Sequence, residues 1–144
     1  MAIELNGLFQ REALGSDECR RRLNAASWAR LLISVRCLPA ARPVPLVVDG
    51  EILLVATDET AVWEAAERHE VLTVNIDGQA DSGATWTVTA TGVSSLIHPE
   101  STDHPVGEGH PLLSYLQHGA RLVALPLTLI AGDETTWSFP RSGR

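Results

Sequence analysis

Lysine is absent, so all eleven cationic side chains of this 144-residue chain are arginines. Schiff-base chemistry through a side-chain amine is thereby excluded. Cysteine is scarce: Cys19 and Cys37 stand alone, with no Cys-x-x-Cys spacing. That excludes a disulfide scaffold or a zinc ribbon and leaves two reduced thiols, expected in or near the core. Long apolar runs are missing as well. The longest, such as Leu122 to Ile130, fall far short of the roughly 20 residues that cross a bilayer and read as buried strands. Met1 to Gln10 has neither a basic start nor a continuous apolar run, so the cytoplasm is the expected location. Gly-rich dinucleotide, Walker and nucleophile-elbow motifs are absent, and nothing assembles a catalytic triad or a paired acid and base.

What is present suits one globular domain over residues 1–144, with 44% apolar residues. Net charge is −7 and unevenly spread. Residues 1–42 hold seven Arg against four acids, whereas residues 43–144 hold four against fourteen. This balance disfavours a nucleic-acid surface, which needs clustered cations. One small phosphate could still be met by N-terminal arginines.

Ser16-Asp17 offers capping oxygens for a helix over about 17–26, with Cys19, Leu23 and Ala26 on one stripe. RLLISVRC from Arg30 alternates as a half-buried strand, and the three prolines of Pro39 to Pro45 imply a loop or edge. PLVVDGEILLVAT is a hairpin turned by Asp49-Gly50, the strongest local signal. Asp58 or Thr60 can cap AVWEAAER, where Glu64 and Arg68 form an i,i+4 pair, and the helix ends near His69. VLTVNID is a strand, Asp77 to Gly83 a turn, and TWTVTATGVSSLI a strand with a bulge or bend at Gly92. His98, His104 and His110, each followed by Pro, lie in a loop over 98–111. Their spacing lacks the compactness of zinc patterns, so no metal is expected. A short helix near Leu112 to Gln117 precedes RLVALPLTLIAG and TTWSF, with an edge or break at Pro126. Six or seven antiparallel strands with two or three short helices are best closed as a small barrel.

The order of these pieces, with PLVVDG before a strand ending at Thr57, a helix directly after it, and Trp86 followed by VTATG, resembles the pyridoxamine 5′-phosphate oxidase-like family of FMN-binding split barrels. The resemblance spans roughly Ser16 to Ile97. It implies a mostly β, six-stranded antiparallel split barrel, a homodimer, and FMN in a groove between the two barrels. Pro45 and Leu46 would face the flavin ring, and Thr57, Thr60 and the amides of Ala61 and Val62 would approach the phosphate, where a helix N-terminus favours an anion. Trp86 would sit near the ring, across the dimer interface.

Two positions depart from the family pattern. Many flavin-binding members carry an arginine before the matching threonine and a lysine near the helix start, where this chain has Ala56 and Val62. Each such contact is worth about 1.5 to 3 kcal/mol, so losing both weakens binding by roughly two to four powers of ten. Arg30, Arg36 or Arg42 could replace them. The reading is an FMN-dependent oxidoreductase acting on a small molecule, with the chemistry carried by the flavin and no catalytic side chain assigned. Its alternatives are a split barrel that has lost FMN and serves as a binding or structural dimer, and a member that takes a deazaflavin coenzyme.

Overall fold

Amphipathic spacing fixes the first helix. The structure, a computed structural model, describes residues 3–5 and 9–137. Its strands are β1 (Ile3–Leu5), β2 (Phe9–Ala13), β3 (Trp28–Val35), β4 (Leu38–Asp49), β5 (Ile52–Thr57), β6 (Val71–Gln79), β7 (Thr85–Val93), β8 (Ser95–Leu96), β9 (Arg121–Pro126) and β10 (Leu129–Trp137), and its helices are α1 (Ser16–Ala25), α2 (Thr60–Glu67) and α3 (Leu113–Gln117). In α1, Cys19 and Leu23 lie four residues apart and are both buried. Neither Ser16 nor Asp17 caps it. The N-cap is Gly15, with no side-chain bond, and Asp17 and Glu18 instead place negative charge in the first turn. α2 likewise lacks the expected cap from Asp58 or Thr60, since its N-cap residue is Glu59. Arg68 lies beyond the last turn of α2 and pairs with Glu70 at 3.3 Å rather than with Glu64.

The strands follow the order β1-β2-β10-β7-β6-β3-β4-β5-β9-β8, and every pairing is antiparallel. The fold is mostly β and of the split-barrel kind. Among the described residues ten strands replace the expected six, and the hydrogen-bonded order stays open at β1 and β8. The excess comes from β1 and β2, where no strand was expected, and from β8, split off from β7, whereas β10 runs unbroken through the Gly-Asp-Glu expected to divide two strands. At Gly132 a Cβ would lie 2.8 Å from Cys19 Sγ and 2.9 Å from the Thr87 carbonyl oxygen, so glycine lets α1 lie close on the sheet. Gly92 is neither bulge nor bend. It stays in register with Leu72, and its missing side chain admits Pro126, whose carbonyl oxygen would be 3.1 Å from a Cβ. The strand break at Pro126 is present, and the hairpin turns at Gly50-Glu51, one residue later than expected, because Asp49 still pairs with Ile52 and only Gly50, at φ 60°, takes a positive φ.

The proline-rich segment is paired, but along one side only. Leu38 to Pro45 pair with β3, and Leu46 to Asp49 pair with β5. The Leu46 N–H donates to the Ser27 carbonyl at 3.1 Å, so even-numbered amides of β4 face β3 and odd-numbered positions face away. Pro39, Pro43 and Pro45 are all odd. They remove donors from the outer edge, and the β4–β5 ladder stops where Pro45 would have to donate.

Two cores result. Leu31, Leu53, Val55, Val74, Val88 and Leu125 fill the barrel interior, closed by Leu23 of α1 and Val62 of α2. On the opposite face of β5 and β9, Leu54, Ala56, Leu122 and Ala124 form a second cluster with Leu112 beneath the 98–112 segment and α3. Cys19 belongs to the first core, whereas Cys37 is exposed, contrary to expectation. Cys37 and Arg36 form the two-residue turn between β3 and β4, and both have positive φ, 64° and 52°. Among the described residues, no helix is long and apolar enough to cross a membrane.

Candidate functional site

Where β4 parts from β5, the fork is bridged by side chains. Arg42 Nε lies 2.7 Å from Glu59 Oε1, the positions that the β4–β5 register would bring opposite each other had pairing continued. Thr57 ends β5 on the wall of this fork. Its hydroxyl accepts the Glu59 N–H at 3.2 Å, and its carbonyl accepts Trp63 Nε1–H at 2.8 Å. Arg121 stands opposite Thr57 in the β5–β9 register, with its guanidinium 5.3 Å from the Trp63 ring centroid. Trp63 therefore organises the start of α2 as well as packing against the core.

The six positions from Pro45 to Val62 named from the sequence are brought to one region, with different freedom. Thr60 is exposed and Ala61 half-buried at the start of α2, and among the described residues their amides meet no backbone acceptor outside the helix. The Val62 amide donates to the Glu59 carbonyl at 3.1 Å, and its side chain is fully buried. Leu46 points into the barrel core, while Pro45 lies beside Trp28 in the β3–β4 register. Trp28 is 53% exposed and meets Tyr115 of α3 edge to face. Ala56 and Val62 are both packed in apolar clusters.

Trp86 is not part of that region within one chain. Its indole lies across Gly78, the residue opposite it on β6, so close that a Cβ there would be 2.5 Å from Cζ2. Arg22 covers the ring with its guanidinium 4.6 Å from the centroid, and Glu18 anchors Arg22 at 2.8 Å. The hydrogen bond from Arg21, and next that from Arg22, hold the Glu18 carboxyl down to about 2. β6 continues to Gln79 rather than turning at Asp77, and this places Gly78 under the ring. Trp86 and Trp28 share a groove of about 600 Å³.

A larger groove of about 1140 Å³ lies between α2 and the β3–β4 hairpin. Ala61 and Ala65 form one wall, Pro39 and Ala41 another, and Arg36 and Arg68 face Glu64 and Glu70 around it. The unpaired, donor-poor edge of β4 thus borders this groove.

The family model described as pyridoxamine 5′-phosphate oxidase matches residues 15–109. The chain belongs to this family. Solved structures agree on the fold. A FAD-binding protein of Mesorhizobium loti has a TM-score of 0.70 at 15% identity, over 89% of this chain and 98% of that one. The FAD-binding protein of Mycobacterium smegmatis gives 0.62 at 21% identity, over 86% and 97%. A FAD- and heme-binding protein of the same organism gives 0.62 at 11%, over 90% and 76%. No curated protein matches the chain.

For this family member, sequence reasoning missed Glu59, Arg121 and the organising part of Trp63. Of the three arginines considered, Arg30 pairs with Asp77 at 2.5 Å and Arg36 sits on the hairpin turn. Arg42 alone reaches the start of α2.

Proposed function

We propose that this chain is a cytoplasmic, homodimeric flavin-binding protein, with FMN as its cofactor and a flavin-dependent redox reaction on a small molecule as its activity. The observation that carries this is the fork itself. In one family member, Thr57, the amides of Thr60 and Ala61, and the Arg42 guanidinium converge at the start of a helix. Such a place stabilises a phosphate through N–H donors and the positive helix end. The donors fit the group, but the charge is provisionally cancelled because Glu59 holds Arg42. Phosphate binding therefore requires Arg42 to exchange one anion for another. The flavin, when bound, supplies the hydride or electron chemistry. The chain's own residues hold the phosphate and offer the Pro45 and Trp28 surface to the ring, and Trp86 comes from the second copy.

The bare face of the larger sheet lobe supports a dimer. Leu32, Thr73, Thr91 and Leu129 line up across β3, β6, β7 and β10, and Leu129 is 62% and nearby Val71 63% exposed. Among the described residues no helix packs squarely on this row, and an apolar patch of that kind suits a second copy. The two free thiols fit a reducing compartment.

Titration of the purified protein with FMN, FAD and a deazaflavin coenzyme, followed by calorimetry and flavin absorbance, tests the reading. FMN should bind saturably. Arg42→Ala should weaken it roughly tenfold, the scale of one charge-assisted contact at a half-exposed site. Glu59→Gln should tighten it, by freeing Arg42. Equal affinity in all three proteins removes the fork from the site. The buried, uncharged Ala56 and Val62 favour a second reading, a dimer without cofactor, and saturable binding of any of the three ligands excludes that. Preferred uptake of the deazaflavin would assign the groove to that coenzyme.

A further inference from the structure

His98, His104 and His110, each followed by a proline, all lie on the stretch between β8 and α3. This stretch is a strap. It crosses the outer face of β5 and β9, where Val106 and Leu112, with Leu116 of α3, rest on the second apolar cluster. Contact there is incomplete, since a cavity of about 180 Å³ remains beneath it. The strap leads into α3, whose Tyr115 meets Trp28 edge to face with ring centroids 5.9 Å apart.

His104 and His110 bind protons with opposite consequences. Pro111 has no N–H, so the first amide after His110 is that of Leu112, and it donates to His110 Nδ1 at 3.1 Å. The Leu113 N–H donates to the His110 carbonyl, also at 3.1 Å. His110 thus caps the turn that opens α3 and pins Leu112, whose side chain is 1% exposed. A backbone N–H can only donate, so Nδ1 is the acceptor and the ring is neutral. An imidazolium carries a proton on both nitrogens and would set donor against donor. His104 is the reverse case. Its Nδ1 is shielded, has no hydrogen-bond partner and lies 3.7 Å from Asp49 Oδ2. Protonation turns this contact into an ion pair with the β4–β5 hairpin.

The other charges nearby do not reverse these signs. Among the described residues His104 is the one histidine within ion-pair distance of a carboxylate. The strap's own acids, Glu100, Asp103 and Glu108, are exposed. His98 and Arg121 border the same cavity as His104, but the Arg121 guanidinium lies over Trp63. His118, just after α3, has Nδ1 2.6 Å from the Ser114 carbonyl and can donate to it in either charge state.

We propose that the strap is a pH-operated release. At and above neutral pH His110 caps α3 and holds Leu112 in the cluster. As pH falls through the range in which histidine takes up its proton, about 8 to 5, the Leu112 end is freed while the His104 end closes on Asp49. The strap pivots, and α3 withdraws Tyr115 from Trp28. The switch is built from the strap and the hairpin it touches, and it does not rest on flavin binding.

Amide hydrogen exchange of the purified, ligand-free full chain tests this, with Leu112 followed by NMR at about pH 7.5 and about pH 5 and protection taken relative to the unstructured rate at each pH. Loss of one hydrogen bond predicts that Leu112 protection falls about threefold to tenfold in acid. In His110→Asn the side-chain oxygen accepts a backbone N–H two residues on without titrating, so protection should stay high at both pH values. His110→Ala should show the low value at both. Asp49→Asn should enlarge the acid loss, because nothing then holds the other end. Urea unfolding checks that each variant is folded, and should the alanine variant not fold, wild type against His110→Asn still decides. Wild-type protection that does not change with pH overturns the proposal, and so does an acid loss in His110→Asn equal to that of wild type. An acid loss no larger in Asp49→Asn than in wild type overturns the pivot.

Discussion

Gly78→Ala is the substitution whose consequence the structure works out most fully. The new Cβ would lie 2.5, 2.7 and 2.9 Å from three atoms of the Trp86 indole. Non-bonded carbons settle at about 3.5 to 4.0 Å, so the ring must retreat by roughly 1 Å or the β6–β7 pair must open. Retreat is obstructed by Arg22, stacked on the ring and tied to Glu18. Overpacking of this kind costs about 1 to 3 kcal/mol, offset by the roughly 0.5 to 1 kcal/mol that alanine gains over glycine within a strand. A net loss of about 0.5 to 2 kcal/mol is expected in urea unfolding. In a Trp86→Ala background nothing remains to clash with, and the same substitution should stabilise by about 0.5 to 1 kcal/mol. The double-mutant cycle should therefore show a coupling of about 1 to 3 kcal/mol. If Gly78→Ala costs the same with and without Trp86, the clamp does not exist and the reasoning fails. FMN affinity adds a second readout. A Trp86 that serves the partner's flavin should bind it less well in Gly78→Ala.

Three smaller perturbations probe other parts of the chain. Cys37 at φ 64° occupies a backbone region that costs a non-glycine residue about 1 to 2 kcal/mol, so Cys37→Gly should raise the urea midpoint by an equivalent of about 1 kcal/mol without changing the slope. Cys37→Val should lower it. Glu18 has its folded pKa held down to about 2 by Arg21 first and Arg22 second. Its contribution is complete above the ordinary value of 4.5 and lost as pH falls towards 2. The stability gap between wild type and Glu18→Gln should therefore be constant near neutral pH and vanish at the acid end, and a gap that widens on acidification would contradict the sign. Burial pushes the Cys19 thiol up, whereas Cys37 is exposed. A thiol reagent should modify Cys37 in the native protein and reach Cys19 only on unfolding, as counted by mass spectrometry.

What was legible in the sequence is what local chemistry decides. Gly50 announces the β4–β5 turn because glycine tolerates the φ of 60° found there, although the turn falls on Gly50-Glu51, one residue later than the Asp-Gly pair suggests. Arg36-Cys37 makes a turn of the same length with no such residue, so nothing in the letters marked it. There the long β3–β4 ladder imposes the turn and the two residues bear the strain. The glycines at 78, 92 and 132 were visible, but their reason was not. Each is small because something distant in sequence comes close: Trp86, Pro126 and Cys19 respectively. The capping oxygens misled for a related reason. Ser16 and Asp58 are good caps in isolation, yet the sheet delivers the chain so that Gly15 and Glu59 occupy the cap positions.

The three prolines connect sequence, fold and candidate site more tightly than any motif does. Their residue type alone implied an edge, and their common odd parity decides which edge. With Pro39, Pro43 and Pro45 all turned away from β3, β5 meets no donor at Pro45 or Pro43 and parts from β4 while it stays paired with β9. The chain that leaves becomes the Thr57 to Glu59 connection and then α2, so the fork, its Arg42–Glu59 bridge and the groove beside Ala61 all follow from donors that β4 does not possess. The same lack of donors guards the exposed edge against pairing with foreign strands. A groove made this way stays open by the fold itself, with no strand able to close it through the missing donors.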